Sequence, residues 1–244
     1  MIKVENEFIK NYHNFFPTKG KKLSFFNKLI SSCQNKPASL LSLEGGDLFF
    51  EQKLAKKNCQ ITAIDSVPEF ITAAKADSKI AEKITLSSFP MMDIGRYLKK
   101  ASFDTIFCLN SRLIFMPSKA LLTKFFFDVK YLLKENGTLV LELANLEQFD
   151  LKKQSVTLSS FPKKQKLDIS VSQMDLNFYL NVAIPAKNDE EITVVENHPV
   201  FPFTKKVIEA AAAETQFSSV EFYSSYGRKP FEPKSHHLIC VLRK

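Results

Sequence analysis

The sequence predicts an α/β fold: a doubly wound, mostly parallel seven-stranded sheet, with an antiparallel β insertion before the last helix. Three observations predict it. Apolar, strand-like runs alternate with helically spaced segments between residues 39 and 143. Over 151–200 the pattern switches to period two, as in Asp168-Ile169-Ser170-Val171-Ser172. The last two strands are joined by a loop too short for a crossover helix, which makes that pair antiparallel. The chain has 244 residues, 45% hydrophobic and 25% charged, enough apolar mass for a full core.

The elements follow in order. Ser39-Leu40-Leu41-Ser42-Leu43 reads as a buried strand, and the adjacent Gly45 and Gly46 mark a tight turn in a chain with only six glycines. Residues 48–57 carry helical spacing, with Leu48, Glu51, Leu54 and Ala55 spread over three turns. A second strand, Gln60-Ile61-Thr62-Ala63-Ile64-Asp65, runs into Ser66-Val67-Pro68-Glu69, where Ser66 and Glu69 predict a capping box and Pro68 suits a first helical turn. Strands are expected at 84–86, 103–109 and 138–143, the last entered through Asn136-Gly137, with a helix over 118–133. Asn177-Phe178-Tyr179-Leu180-Asn181-Val182 repeats the alternation of the insertion, whose strands have one solvated face. A helix over 204–215 and strands at 220–223 and 237–242 complete the set.

Composition narrows the function. No run reaches the roughly 18 apolar residues of a membrane helix, and the first residues lack the layout of a secretory signal, so a cytoplasmic location is expected. Cys33, Cys59, Cys108 and Cys240 are scattered singly, and His13, His198, His236 and His237 show no metal-ligand spacing, so no metal site is expected. The net charge of +8 (34 − 26) points toward acidic partners, but Arg96, Arg112, Arg228 and Arg243 are the only arginines, and base readers lean on Arg forks. The charge is therefore read as solvated surface, with nucleic acid disfavoured as a partner.

In an open α/β sheet, ligands bind beyond the carboxyl ends of the strands, where strand order reverses. That places the primary site at Ser42-Leu43-Glu44-Gly45-Gly46-Asp47-Leu48, where small residues let the backbone approach a ligand. Asp65, nineteen residues after Gly46, ends the second strand where a carboxylate can accept both hydroxyls of a ribose; Ser66 as the helix cap would leave it free. The absence of G-x-G-x-x-G and the terminal antiparallel pair weigh against a nicotinamide dinucleotide.

At these residues the sequence resembles the class I S-adenosylmethionine-dependent methyltransferases. Leu40-Leu41-Ser42-Leu43-Glu44-Gly45-Gly46-Asp47-Leu48, followed by Leu54-Ala55, lies on V-L-D-L-G-C-G-T-G…L-A. Phe103-Asp104-Thr105-Ile106 is similar to F-D-x-V, and Leu132-Leu133-Lys134-Glu135-Asn136-Gly137-Thr138-Leu139 to L-L-K-P-G-G-x-L. A subgroup opening with Y-D-x-I-F-P resembles Tyr12-His13-Asn14-Phe15-Phe16-Pro17. Its G-N-S resembles Leu109-Asn110-Ser111, its Asn after the fifth strand Asn145, and its tail Tyr226-Gly227…Phe231…Ser235…Leu238-Ile239. The glycine motif is degenerate: of three turn glycines only Gly46 is kept, Glu44 and Leu48 replace the others, and Ser42 stands where the family has an acid.

The resemblance implies S-adenosylmethionine as cofactor, held by Tyr12, Ser42, Glu44, Gly45, Gly46, Asp65, Ser66 and Asn110, with Pro90, or Asp93 in a shifted register, at the adenine position. Glu44 or Asp47 is expected to supply negative charge to the cationic cofactor. His13 is the candidate acid or base, and Arg112, Tyr226 and Arg228 are candidates for binding an acidic acceptor. The implied organisation is an N-terminal helical cap at 1–36, a cofactor-binding core at 37–150, the insertion at 151–200, and a C-terminal helix and strand pair at 201–244. The leading expectation is methyl transfer to a small molecule, an in-line displacement that needs positioning more than a nucleophile. Its rival is a non-catalytic relative serving as a binding or assembly module, supported by the altered turn. An RNA methyltransferase lacks support from any N-P-P-Y-type tetrapeptide.

Overall fold

A computed structural model describes residues 6–147, 156–157, 168–175, 177–185 and 191–244. Expectations for 1–5 and for the remaining parts of 151–200 lie outside the described residues. Two N-terminal helices, α1 (Asn6–Phe15) and α2 (Gly20–Ser32), precede an alternating core. The core runs β1 (Ala38–Leu43), α3 (Phe49–Leu54), β2 (Cys59–Ile64), α4 (Pro68–Ala76), α5 (Ser78–Ala81), β3 (Ile84–Ser87), α6 (Ile94–Tyr97), β4 (Phe103–Cys108), α7 (Lys119–Leu132) and β5 (Leu133–Ala144). Then come β6 (Val156–Thr157), β7 (Asp168–Met174), β8 (Asn177–Pro185) and β9 (Glu191–Val200), followed by α8 (Lys205–Glu214), β10 (Ser219–Tyr223) and β11 (His237–Arg243).

Seven strands form one sheet in the order β10-β11-β5-β4-β1-β2-β3, and β6-β7-β8-β9 form a second, antiparallel sheet. In the main sheet β11 pairs antiparallel with both β5 and β10, while the pairs among β1 to β5 are parallel. Strand order reverses between β1 and β4, so their carboxyl ends open a crevice.

The parallel strands are apolar on both faces because helices cover both. Leu41, Ile106, Leu139 and Leu141 pack under α7 and α8, against Phe125, Phe126 and Ile208. Leu40, Ile61, Phe107 and Val140 pack on the other side, against Phe25, Phe26 and Leu29 of α2 and Leu54 of α3. A third cluster joins Phe8, Tyr12 and Phe15 of α1 to Val171, Leu180, Val182 and Val195 of the antiparallel sheet. Each fully buried side chain of this size contributes roughly 1.5–3 kcal/mol, and this third cluster is what lays α1 across the carboxyl ends of the main sheet.

Two local expectations differ. The capping box does not form: helix α4 starts at Pro68 with Val67 in the cap position and no side-chain cap, because the Ser66 hydroxyl donates instead to Glu44 at 2.8 Å. Strand β5 begins at Leu133, five residues earlier than periodicity suggests. Ser118 does cap α7, accepting from the Leu121 N–H at 3.3 Å.

Candidate functional site

The turn after β1 is built from three left-handed residues, Glu44 (φ 55°), Gly46 (φ 67°) and Leu48 (φ 57°). This conformation costs L-residues about 1–2 kcal/mol each, so surrounding contacts must hold it. Leu48 is fully buried in the α2–α3 core, and a Cβ added at Gly45 would lie 2.5 Å from its Cδ2. Gly46 lies directly under the Tyr12 ring, which a Cβ there would strike.

On the β1–β4 side of the turn is a cleft lined by Tyr12, Lys22, Ser42, Glu44, Gly45, Asp47, Glu51 and Asn110, with Phe16, Phe49 and Phe50 among its apolar walls. It holds about 360 Å³ of empty space counting its open mouth, but only about 20 Å³ is wide enough for the centre of a water molecule. That is room for about one water.

The floor of the cleft is a carboxyl–hydroxyl pair. The Ser42 hydroxyl donates to Glu51 Oε1 at 2.6 Å, and Glu51 is 2% exposed. Its other oxygen, Oε2, has no hydrogen-bond partner among the described residues. Burial pushes the Glu51 carboxyl up to about 7, against the pull of the Ser42 hydrogen bond.

The far wall is a polar network rooted in Glu142 of β5. Its Oε2 accepts from Lys22 Nζ at 2.9 Å, the Tyr226 hydroxyl at 2.8 Å and the Asn110 N–H at 3.2 Å. Burial alone would raise this carboxylate; the adjacent Lys22 ammonium outweighs it and holds Glu142 below its ordinary value. Lys22 Nζ also donates to Asn110 Oδ1 at 3.1 Å, and the Asn110 amide donates to the Tyr12 hydroxyl at 3.3 Å. Burial raises the Tyr12 phenol well above its usual value. At the rim His13 Nδ1 meets Asp47 Oδ2 at 2.8 Å, and its ring stacks on Phe49 at 5.1 Å.

On the β2 side the arrangement is closed. Asp65 is fully buried; its Oδ2 accepts from the Gly46 N–H and its Oδ1 from the Val67 N–H, both at 2.9 Å, and Arg112 stands 3.4 Å from Oδ1. Arg112 also donates to Glu44 Oε2 at 2.9 Å, and Glu44 further accepts from the Ser66 N–H and hydroxyl. Burial pushes Asp65 above the usual carboxylate range, with Arg112 pulling against it and Glu44 adding to it. Arg112 Nε has no partner among the described residues.

The sequence candidates thus fall into groups. Tyr12, Ser42, Glu44, Gly45 and Asn110 come together around the cleft, with Gly46 beneath Tyr12 and His13 at the rim. Asp65 is not left free, since Ser66 does not cap α4. Arg112, a candidate for binding an acidic acceptor, is 9% exposed and paired with the chain's own carboxylates. Tyr226 is committed to Glu142, and Arg228 is exposed, its guanidinium 5.5 Å above the Phe25 ring. Pro90 is exposed ahead of the 3-10 turn Met91–Asp93, and neither Pro90 nor Asp93 lines the cleft. Asn145 ties the end of β5 to the tail, its amide donating to the Pro233 and Ser235 carbonyls.

Lys22, Glu51 and Glu142 were missed by the sequence reading. Each carried a signal: Lys22 heads the stripe Lys22-Phe25-Phe26-Leu29-Ile30, Glu51 shares a helix face with Leu48 and Leu54, and Glu142 interrupts an apolar strand. A charge on a face that spacing assigns to the core is worth a site hypothesis. Among the described residues no group of His, Cys, Asp and Glu is placed to hold a metal ion, and no helix is long and apolar enough to cross a membrane.

No protein-family model matches the chain, and no curated protein matches it. Solved structures do. An S-adenosylmethionine-dependent methyltransferase from Clostridium acetobutylicum is 16% identical, with 98% of both chains covered and a TM-score of 0.74. The CcbJ methyltransferase from Streptomyces caelestis is 12% identical over 97% of this chain and 95% of its own, at 0.75. CalS10 from Micromonospora echinaspora, an amino pentose methyltransferase solved with S-adenosylmethionine bound, is 13% identical over 99% and 98%, at 0.69. The described residues have the class I methyltransferase fold.

Proposed function

We propose that this chain is an S-adenosylmethionine-dependent methyltransferase acting on a small molecule. The observation that carries the reading is the extent of the likeness: nearly all of the chain, the N-terminal helices and second sheet included, is covered by proteins named as methyltransferases, one of them as S-adenosylmethionine-dependent and one as bound to S-adenosylmethionine. A small acceptor is favoured by CalS10, named for an amino pentose, and by the scarcity of arginine for gripping nucleic acid.

The residues fit one end of that cofactor and not the other. The Ser42–Glu51 floor and the Glu44–Gly45 backbone offer a narrow polar slot for its amino-acid end. A ribose, by contrast, needs Asp65 with open acceptor sites, and both of its oxygens are engaged by Gly46, Val67 and Arg112. What the chain's own residues do is fix charge and exclude water: Tyr12 roofs the turn, and Lys22 and Glu142 neutralise one another beside the cleft.

The Glu44–Arg112–Asp65 cluster favours a second reading, a non-catalytic protein that keeps the fold for binding or assembly. A thermal-shift titration with S-adenosylmethionine and S-adenosylhomocysteine decides between them, since a ligand at 100 times its Kd adds about 2.7 kcal/mol to stability. The enzyme reading expects a clear rise in Tm; no shift at millimolar ligand supports the second reading.

A further inference from the structure

We propose that the exposed aromatic face where α6 meets α7 is a docking surface for an acidic protein segment. It belongs to the helix layer that packs on Leu41 and Leu139 of the main sheet, and it shares no residue with the cleft. The inference therefore holds under either reading of the cleft.

Helix α7 does not need this face for its own core. Leu122, Phe125, Phe126, Val129 and Leu132 fill its buried stripe. Phe127 and Tyr131, one turn apart, are nevertheless left 53% and 46% exposed, and Tyr97 of α6 adds a third ring at 56%. Among the described residues five large apolar side chains are exposed, so three of them on adjoining elements form a concentration, and such a patch marks a contact site. The elements are held together. Asp128 of α7 packs against Gly95 of α6, where an added Cβ would lie 2.5 Å from the carboxylate, and the Ala101 N–H donates to the Tyr131 carbonyl at 3.0 Å.

Charge selects the occupant. The Arg96 guanidinium lies 5.3 Å from the centre of the Tyr97 ring, Lys100 Nζ lies 5.9 Å from that of Tyr131, and Lys99 is exposed beside them. The nearby acids are taken: Asp128 pairs with Lys124 at 2.6 Å and Asp104 with Lys134 at 2.7 Å, and among the described residues Arg96, Lys99 and Lys100 make no ion pair. Three unbalanced cations among apolar rings suit a partner that brings carboxylates together with apolar side chains. A second copy of this chain, docked face to face, would set those cations against one another. A single-stranded nucleic acid needs free ring faces on which to stack its bases, whereas Arg96 and Phe89 already pack on Tyr97, and Lys100 on Tyr131.

The experiment measures binding of the full chain, at physiological salt, to three polymers of matched length: a random copolymer of glutamate and tyrosine, polyglutamate, and poly(U). Two double variants alter the face, Phe127→Gln with Tyr131→Gln and Lys99→Glu with Lys100→Glu. Lys56→Glu with Lys57→Glu, two exposed lysines just beyond α3 in the other helix layer, controls for net charge. Every exchanged side chain is exposed, and each variant is checked for a cooperative melt. The proposal expects the copolymer to bind at least about tenfold more tightly than polyglutamate, and to lose at least about tenfold in both face variants but less than about threefold in the control. An equal loss in the control reduces the binding to net charge and overturns the proposal, as does a copolymer that fails to bind. Tighter binding of poly(U), lost in the face variants, assigns the face to nucleic acid; a dimer in sedimentation that dissociates in the Phe127→Gln, Tyr131→Gln protein assigns it to a second copy. Either result overturns the acidic protein segment.

Discussion

Two buried acids flank the same glycine turn, and they are treated in opposite ways. On the β2 side Asp65 is saturated, with two backbone N–H groups and a guanidinium on its oxygens and a second carboxylate, Glu44, sharing that guanidinium. On the β1–β4 side Glu51 has one hydroxyl and one bare oxygen beside an open cleft. Burial raises both carboxyls toward neutrality, but only one side retains unused capacity. A fold can close a polar site with its own residues as completely as with a ligand, so position at the end of a strand does not settle whether an acid is available.

The largest effect that tests this contrast is removal of the guanidinium. Arg112→Met leaves Glu44 and Asp65 buried without a counter-charge, and breaking such a group by deleting one partner costs about 3–5 kcal/mol. Urea denaturation at pH 8 should show a loss of that size; one below about 1 kcal/mol would mean that the carboxylates reach water and the cluster is not closed.

A smaller effect of opposite sign is expected on the other side. The Glu51 carboxyl is raised from 4.5 to about 7, so the native state holds its proton more tightly than the unfolded chain. Its stabilising contribution is fully present below about 4.5 and is lost as pH rises through about 7. Glu51→Gln keeps a neutral group there, and at about 1.4 kcal/mol per unit it should gain at most about 3 kcal/mol at pH 8, narrowing below about 1 kcal/mol at pH 5. A variant whose advantage does not change with pH would show that Glu51 is already ionised in the native protein.

The smallest effect belongs to the rim. His13 and Asp47 meet at 2.8 Å with side-chain exposures of 38% and 20%, in the regime where ion pairs contribute about 0–1 kcal/mol. His13→Ala should therefore lower stability by less than about 1 kcal/mol, read from the same denaturation curves. A larger loss would make the rim part of the closed structure.

Much of the fold was legible because strand and helix periods differ and strands buried on both faces read as continuous apolar runs. The antiparallel tail followed from a loop length, and the second sheet from a change of period. The site was harder, since its decisive contacts are not local. The Ser66–Glu69 rule looks three residues ahead, whereas the partner that captured Ser66 is Glu44, twenty-two residues behind and aimed by a left-handed backbone. Arg112 follows two further left-handed residues, Asn110 and Ser111, and no spacing in the sequence announces that its side chain meets two strand-end acids. Glu51 was within reach: it stood on an apolar helix face, and its partner Ser42 occupied the place of an expected acid.

Phe8, Tyr12 and Phe15 belong to one cluster with Val171, Leu180 and Val195 of the second sheet, and Tyr12 rests on Gly46. The aromatic side of α1 therefore works as a rigid spacer between two sheets that share no strand. A void opened beneath it, far from any charged group, would be felt at the glycine turn as a shift in the height of its roof.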